Sequence, residues 1–147
     1  MANFTYSDAG FALTKSFEGL YLSAYQDQGG VWTVGYGHTG PGVHAGLTIT
    51  GEQADLFLES DVARAVSCVN RVVTAEILQG QFDALVDFTF NLGCASLSQS
   101  TLLRAVNAED FAAAAAQFLL WDHVCGRVVP GLLRRRQAEV KMFQASA

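Results

Sequence analysis

The segment from Phe17 to Thr39, FEGLYLSAYQDQGGVWTVGYGHT, changes character twice within a few residues, and the architecture follows from how it is read. It opens at the end of a helix. Ser7-Asp8 is a capping pair, Phe11, Leu13 and Phe17 supply apolar positions, and Gly19 is a stop, which leaves Glu18 at a helix terminus. From Tyr21 to Gly42 the composition turns to strand formers. Tyr25, Val31, Trp32, Thr33, Val34 and Tyr36 flank Gly29-Gly30, a hairpin turn. No other part of the chain reads convincingly as sheet.

Outward from that segment the pattern is helical. Thr50-Gly51-Glu52-Gln53 has the form of a capping box, and Ala54, Phe57, Leu58, Ala65, Val66 and Val69 continue it as a long helix over 53–72. Helical spacing returns at Gln81–Leu92, which stops at Gly93, then at Ser100–Val106 and at Asn107–Trp121. Pro130 opens a last helix through Leu133, Val140 and Phe143. The expected fold class is α+β, in one domain spanning 1–147. A small three-stranded antiparallel sheet lobe (15–52) precedes a larger all-helical lobe (53–147), the N-terminal helix packs on the latter, and a cleft separates the two.

The chain has 147 residues, half of them hydrophobic, enough to bury a core without a structural metal or disulfide scaffold. Its net charge of -5 argues against a general nucleic-acid binder, which needs a basic surface. The charge is graded. Lys15 is the only base before residue 62, amid seven acids, whereas Arg127, Arg134, Arg135, Arg136 and Lys141 face only Glu139 from residue 127 onward. Either the two ends attract one another or both are solvated surfaces. Cys68, Cys94 and Cys125 are odd in number and too widely spaced for a CxxC site, so they read as buried thiols. No HExxH or paired Cys/His spacing accompanies His38, His44 and His123, and neither a metal nor another cofactor is expected. No apolar run approaches the ~18–20 residues that span a bilayer, so the chain reads as one made in soluble form, without stable membrane insertion.

Gly35-Tyr36-Gly37-His38-Thr39-Gly40 matches the dinucleotide motif G-x-G-x-x-G, but Pro41-Gly42 continues a loop where that motif must open a helix. The glycines are better suited to bending the sheet edge or letting backbone approach a partner closely. A more informative set is Glu18, Asp27 and Thr33. A glycosidase needs one protonated carboxyl to donate to the leaving oxygen and a second carboxylate toward the opposite face of the sugar. Taken alone, the same residues suit a surface acid, a turn aspartate and a strand threonine.

Those residues sit in runs that resemble the phage-type lysozymes, the endolysins of glycoside hydrolase family 24, whose signature is E-x8-D-x5-T. The runs are Phe17-Glu18-Gly19-Leu20, Ala24-Tyr25-Gln26-Asp27 and Val31 through Thr39. The likeness continues through Thr48-Ile49-Thr50, Gln81 to Leu85, Phe90 to Gly93, Ser100 to Arg104, Trp121 and Gly131 to Arg136. The resemblance implies hydrolysis of the β-1,4 bond between N-acetylmuramic acid and N-acetylglucosamine in bacterial peptidoglycan, with inversion, for host cell lysis. Glu18 is then the general acid, Asp27 the second carboxylate and Thr33 the hydroxyl that holds water. It implies synthesis in the host cytoplasm, action on the wall or in the periplasm, and release by a separate membrane-permeabilising protein, a holin. The protein is expected to act as a monomer.

Further expectations attach to this assignment. Arg135 is expected to lie close to Glu18 and hold it in the free enzyme, the alternative being a solvated Arg134-Arg135-Arg136 face. His38 either touches substrate or is a hydrogen-bonded structural histidine. Phe90 and Asn91 either line the sugar site or belong to the core and helix stop, and Trp32 and Trp121 read as core anchors ahead of the alternative, sugar platforms. The rival functions are a lytic transglycosylase, which leaves anhydro ends, and a non-catalytic cell-wall binding module.

Overall fold

The computed structural model describes residues 3–145 and divides into two compact units. One is Thr14–Arg64; the other joins the chain's first segment, through Leu13, to everything from Ala65 onward.

Helix α1 (Asp8–Glu18) starts at Ser7, whose hydroxyl accepts the N–H of Gly10 and whose carbonyl accepts that of Phe11. It stops where Gly19 takes φ +74° and donates back to the Lys15 carbonyl at 3.1 Å. Strands β1 (Tyr21–Gln26) and β2 (Trp32–Gly35) pair antiparallel, with Tyr25 opposite Thr33 and Gln26 opposite Trp32; the register is irregular between Tyr21 and Tyr25. The sheet has two strands where the sequence suggests three. Gly35 and Gly37, at φ +66° and +81°, fold the chain back so that Val34 and His38 bridge, and the following loop contributes only an isolated bridge, Thr48 to Ser23. The strand formers are present; the glycines interrupt them.

Helix α2 (Gly51–Val72) begins with the expected reciprocal caps. The Gln53 N–H donates to Thr50 Oγ1 at 3.1 Å and the Thr50 N–H to Gln53 Oε1 at 2.9 Å. Its buried residues Ala54, Leu58, Val62, Ala65 and Val69 recur at helical spacing.

In the larger unit, α3 (Gln79–Leu92) packs against α7 (Pro130–Ala145), and α6 (Phe111–Phe118) packs against both α5 (Thr101–Asn107) and α7. A short α4 (Cys94–Ser98) follows α3 directly. Phe88 meets Phe118 and Trp121 edge-on at 5.7 and 5.4 Å, and Phe118 meets Phe143 at 5.4 Å. Each fully buried phenylalanine in such a cluster contributes about 1.5–3 kcal/mol.

Three expectations fail here. The Asn107–Trp121 helix is shorter, because Glu109 takes φ +60° and Asp110 caps a new start by accepting from the Ala113 N–H. The unit is not all helical: β3 (His123–Val124) and β4 (Arg127–Val128) form a hairpin around Cys125 and Gly126, whose positive φ values of 51° and 78° suit a tight two-residue turn. The cysteines are not all buried thiols. Cys68 and Cys94 form a disulfide across a 6.0 Å Cα separation, and Cys125 is free and exposed. The pairing depends on α4 returning to α2, which no local spacing announces. Among the described residues, no helix is long and apolar enough to cross a membrane.

Candidate active site

Glu18 ends α1 half-buried, and several contacts hold that end in place. Lys15, one turn earlier, pairs with Asp55 of α2 at 2.9 Å and lies 5.5 Å from the centre of the Tyr36 ring. Gly37 supplies the space for the carboxyl: a Cβ built there would stand 2.8 Å from Glu18 Oε1. A Cβ at Gly35 would meet Ala54 and Ile49 at 3.4 Å. These glycines therefore accommodate the protein's own helices and the acid, and the loop after them opens no helix for a pyrophosphate.

Asp27 closes the β1–β2 turn. Its Oδ1 accepts the N–H groups of Gly29 and Val31 at 2.8 and 2.9 Å, while its backbone N–H donates to the Val31 carbonyl at 2.9 Å. It is thus a turn aspartate, yet an exposed one, and Oδ2 takes no hydrogen bond among the described residues. Thr33 is buried in β2, and its hydroxyl donates to the Val31 carbonyl at 3.0 Å. Tyr25 joins the set. Its phenol is pushed above the ordinary tyrosine range, first by burial, then by Tyr21, and then by the negative charges of Asp27 and Glu18. Glu18 leads into β1, Asp27 follows that strand at the turn, and Thr33 stands opposite Tyr25 in β2, so all three belong to one short hairpin.

His38 is anchored rather than free. Nδ1 lies 2.8 Å from Asp61 Oδ2, and the ring stacks on Phe57 with centres 4.0 Å apart and planes 4° from parallel. Both partners come from α2, so the histidine ties the glycine turn to that helix.

Phe90, Asn91 and Arg135 lie together in the helical unit. Phe90 and Asn91 are half-exposed on the last turn of α3, and Asn91 Oδ1 accepts from Arg136 Nη2 at 3.0 Å. Arg135 makes a two-pronged pair with Asp87, Nε to Oδ2 at 2.9 Å and Nη2 to Oδ1 at 2.8 Å. The solvated-face alternative is overturned for Arg135 and Arg136, which are buried; Arg134 alone of the three is exposed. Arg136 pairs with Glu139, by a hydrogen bond from Nη2 to Oε2 at 2.8 Å and by an ionic contact of 2.6 Å between Nε and Oε1 that lies off the hydrogen-bonding direction. Burial, followed by a hydrogen bond and repulsion from Asp87, raises the Glu139 pKa well above the carboxylate range against the opposing pull of Arg136.

Asp61, Asp87 and Glu139 were not singled out from the sequence. Asp87 carried a readable signal: Asp83 and Asp87 are four apart within the apolar stripe of Phe82, Leu85, Val86 and Phe88. Acids in a buried stripe require partners, and these find Ser7 and Arg135. Asp61 lies among the solvated-looking acids of α2, where nothing local distinguishes it.

An acid at a helix end and another at the neighbouring hairpin turn make an arrangement that glycoside hydrolysis can use, and the fold is lysozyme-like. The phage lysozyme family model matches residues 15–139, and the chain belongs to that family. It is 40% identical over 144 residues to the endolysin of Acyrthosiphon pisum secondary endosymbiont phage 1, covering 95% of this chain and 98% of that protein. It is 42% identical to the endolysin of Bacillus phage B103 over 93% of this chain, but spans only 53% of that longer protein. Among solved structures, the muramidase domain of SpmX from Asticaccaulis excentricus is 40% identical and superposes with a TM-score of 0.88, covering 95% of this chain and 97% of its own.

Proposed function

We propose that Glu18 is the general acid, Asp27 the second carboxylate and Thr33 the hydroxyl that orients water, in an endolysin that cleaves the β-1,4 bond between N-acetylmuramic acid and N-acetylglucosamine. The observation carrying this reading is that Glu18 ends the helix leading into β1 and Asp27 stands at the turn of the same β1–β2 hairpin, in different settings. Glu18 is half-buried against a backbone with no side chain; Asp27 is exposed, with one oxygen spent on the turn. The first setting gives a carboxyl room to face a leaving oxygen, and the second leaves a carboxylate oxygen open toward water.

Glu18 protonates the leaving oxygen as the bond breaks. Water held near Asp27 and Thr33 attacks the anomeric carbon directly, with inversion. Phe90 offers an apolar face and Asn91 the amide N–H donors that an acetamido sugar needs, while His38 keeps its anchoring place on α2. The protein works as a monomer, made in the host cytoplasm and reaching the wall after a holin permeabilises the membrane. Digesting purified peptidoglycan with wild type, Glu18→Gln and Asp27→Asn, then weighing the released ends, tests the reading. Hydrated reducing ends from wild type alone are expected. Anhydro ends would make it a transglycosylase, and wild type releasing none would leave a binding module. Asp27→Asn keeps both turn bonds because its side-chain oxygen still accepts, so its loss of activity reports charge alone.

A further inference from the structure

Beside the two acids, β1 carries a pair of tyrosines with no assigned role. Tyr21 and Tyr25 are in ring contact, with centres 4.5 Å apart and planes tilted by 47°, so they share one face of the strand despite the irregular register between them. Tyr21 is 49% exposed. Neither hydroxyl makes a hydrogen bond within the described residues. The strand beneath is fixed on both sides, by β2 and by the Ala24–Leu47 and Ile49–Leu22 backbone bonds of 2.8 and 2.9 Å. Rings on such a strand lose little freedom on binding.

We propose that Tyr21 and Tyr25 form a shelf on which one N-acetylhexosamine ring of the glycan strand lies next to Glu18 and Asp27. This deepens the muramidase reading and rests on it. The C–H face of a pyranose is apolar and covers an aromatic ring, while its hydroxyl and acetamido groups need partners that two unoccupied phenols supply. The acids take the linkage, and the shelf fixes the ring beside it, so the pair positions substrate without joining the proton transfers.

The test uses the full chain and two readouts. Binding of a β-1,4-linked tetramer of N-acetylglucosamine is measured by calorimetry on Glu18→Gln, which needs no turnover, with Tyr21→Ala or Tyr21→Phe added. KM and kcat on soluble peptidoglycan are then compared for wild type, Tyr21→Ala, Tyr21→Phe and Tyr25→Phe. Tyr21→Ala should weaken tetramer binding and raise KM about three- to tenfold, with kcat within about twofold, and Tyr21→Phe should recover most of it. Tyr25→Phe, which keeps its ring, should raise KM about twofold to fivefold. Unaltered binding in Tyr21→Ala, or no rescue by Tyr21→Phe, overturns the shelf; so does a fall in kcat with KM unchanged. Full cleavage by Glu18→Gln would instead overturn the proposed chemistry, leaving the tetramer measurements to judge the shelf by themselves.

Discussion

The molecule holds two pairs of acids under opposite conditions. Glu18 and Asp27 sit at the end of a helix and the tip of a hairpin, one half-buried and the other exposed. Asp87 and Glu139 are fully buried between α3 and α7 and paired with Arg135 and Arg136. A buried carboxylate is tolerated only when its charge is answered, by an arginine or by a proton, and the helical unit uses both. The contrast separates acids that hold the fold from the two proposed to act on the sugar linkage.

The largest effect should come from Glu18→Gln: about a thousandfold loss of peptidoglycan hydrolysis with the melting temperature unchanged. A large fall in stability would erase the distinction between the two pairs. Arg135→Met should do the reverse to the fold, leaving Asp87 buried without its two-pronged partner and costing about 3–5 kcal/mol, or roughly 10–15 °C in thermal unfolding. Gly37→Ala probes the supporting backbone. A methyl group there collides with Glu18 Oε1 at a positive φ, and a displaced acid should lower kcat about ten- to a hundredfold with modest destabilisation.

The smallest effect sharpens the contrast through pH. Because the folded pKa of Glu139 is raised, its contribution to stability is fully present below the unfolded carboxyl value and is lost as pH rises through the folded one. Wild type should therefore lose stability on this account as pH rises above the ordinary carboxylate range. Glu139→Gln, which cannot ionise yet still donates to Asp87 and accepts from Arg136, should show a flatter profile in chemical denaturation over the same rise.

Local chemistry made much of this legible. Gly19 as a stop, Thr50 with Gln53 as reciprocal caps and Pro130 as a helix opener each act within four residues, and each forms as read. Glu18, Asp27 and Thr33 stand out only through the family resemblance, since spacing alone suits a surface acid, a turn aspartate and a strand threonine. The pairing of Tyr25 with Thr33 needed the folded hairpin. What stayed hidden was non-local. Arg135 meets Asp87 across 48 positions, His38 meets Asp61 from another element, and Cys68 meets Cys94 only once α4 is placed. The β3–β4 hairpin escaped for a different reason: each strand has two residues, and a cysteine occupies a left-handed turn position that glycine or asparagine usually fills.

The Cys68–Cys94 link closes a loop of 26 positions, and a closure of that length restrains the unfolded chain by about 3 kcal/mol. A melting curve recorded in dithiothreitol and one recorded without it therefore describe two covalently different proteins. The acids and hydroxyl proposed to carry the chemistry hold no sulfur, so reductant should lower the temperature the enzyme survives while sparing the rate at which it works below that limit.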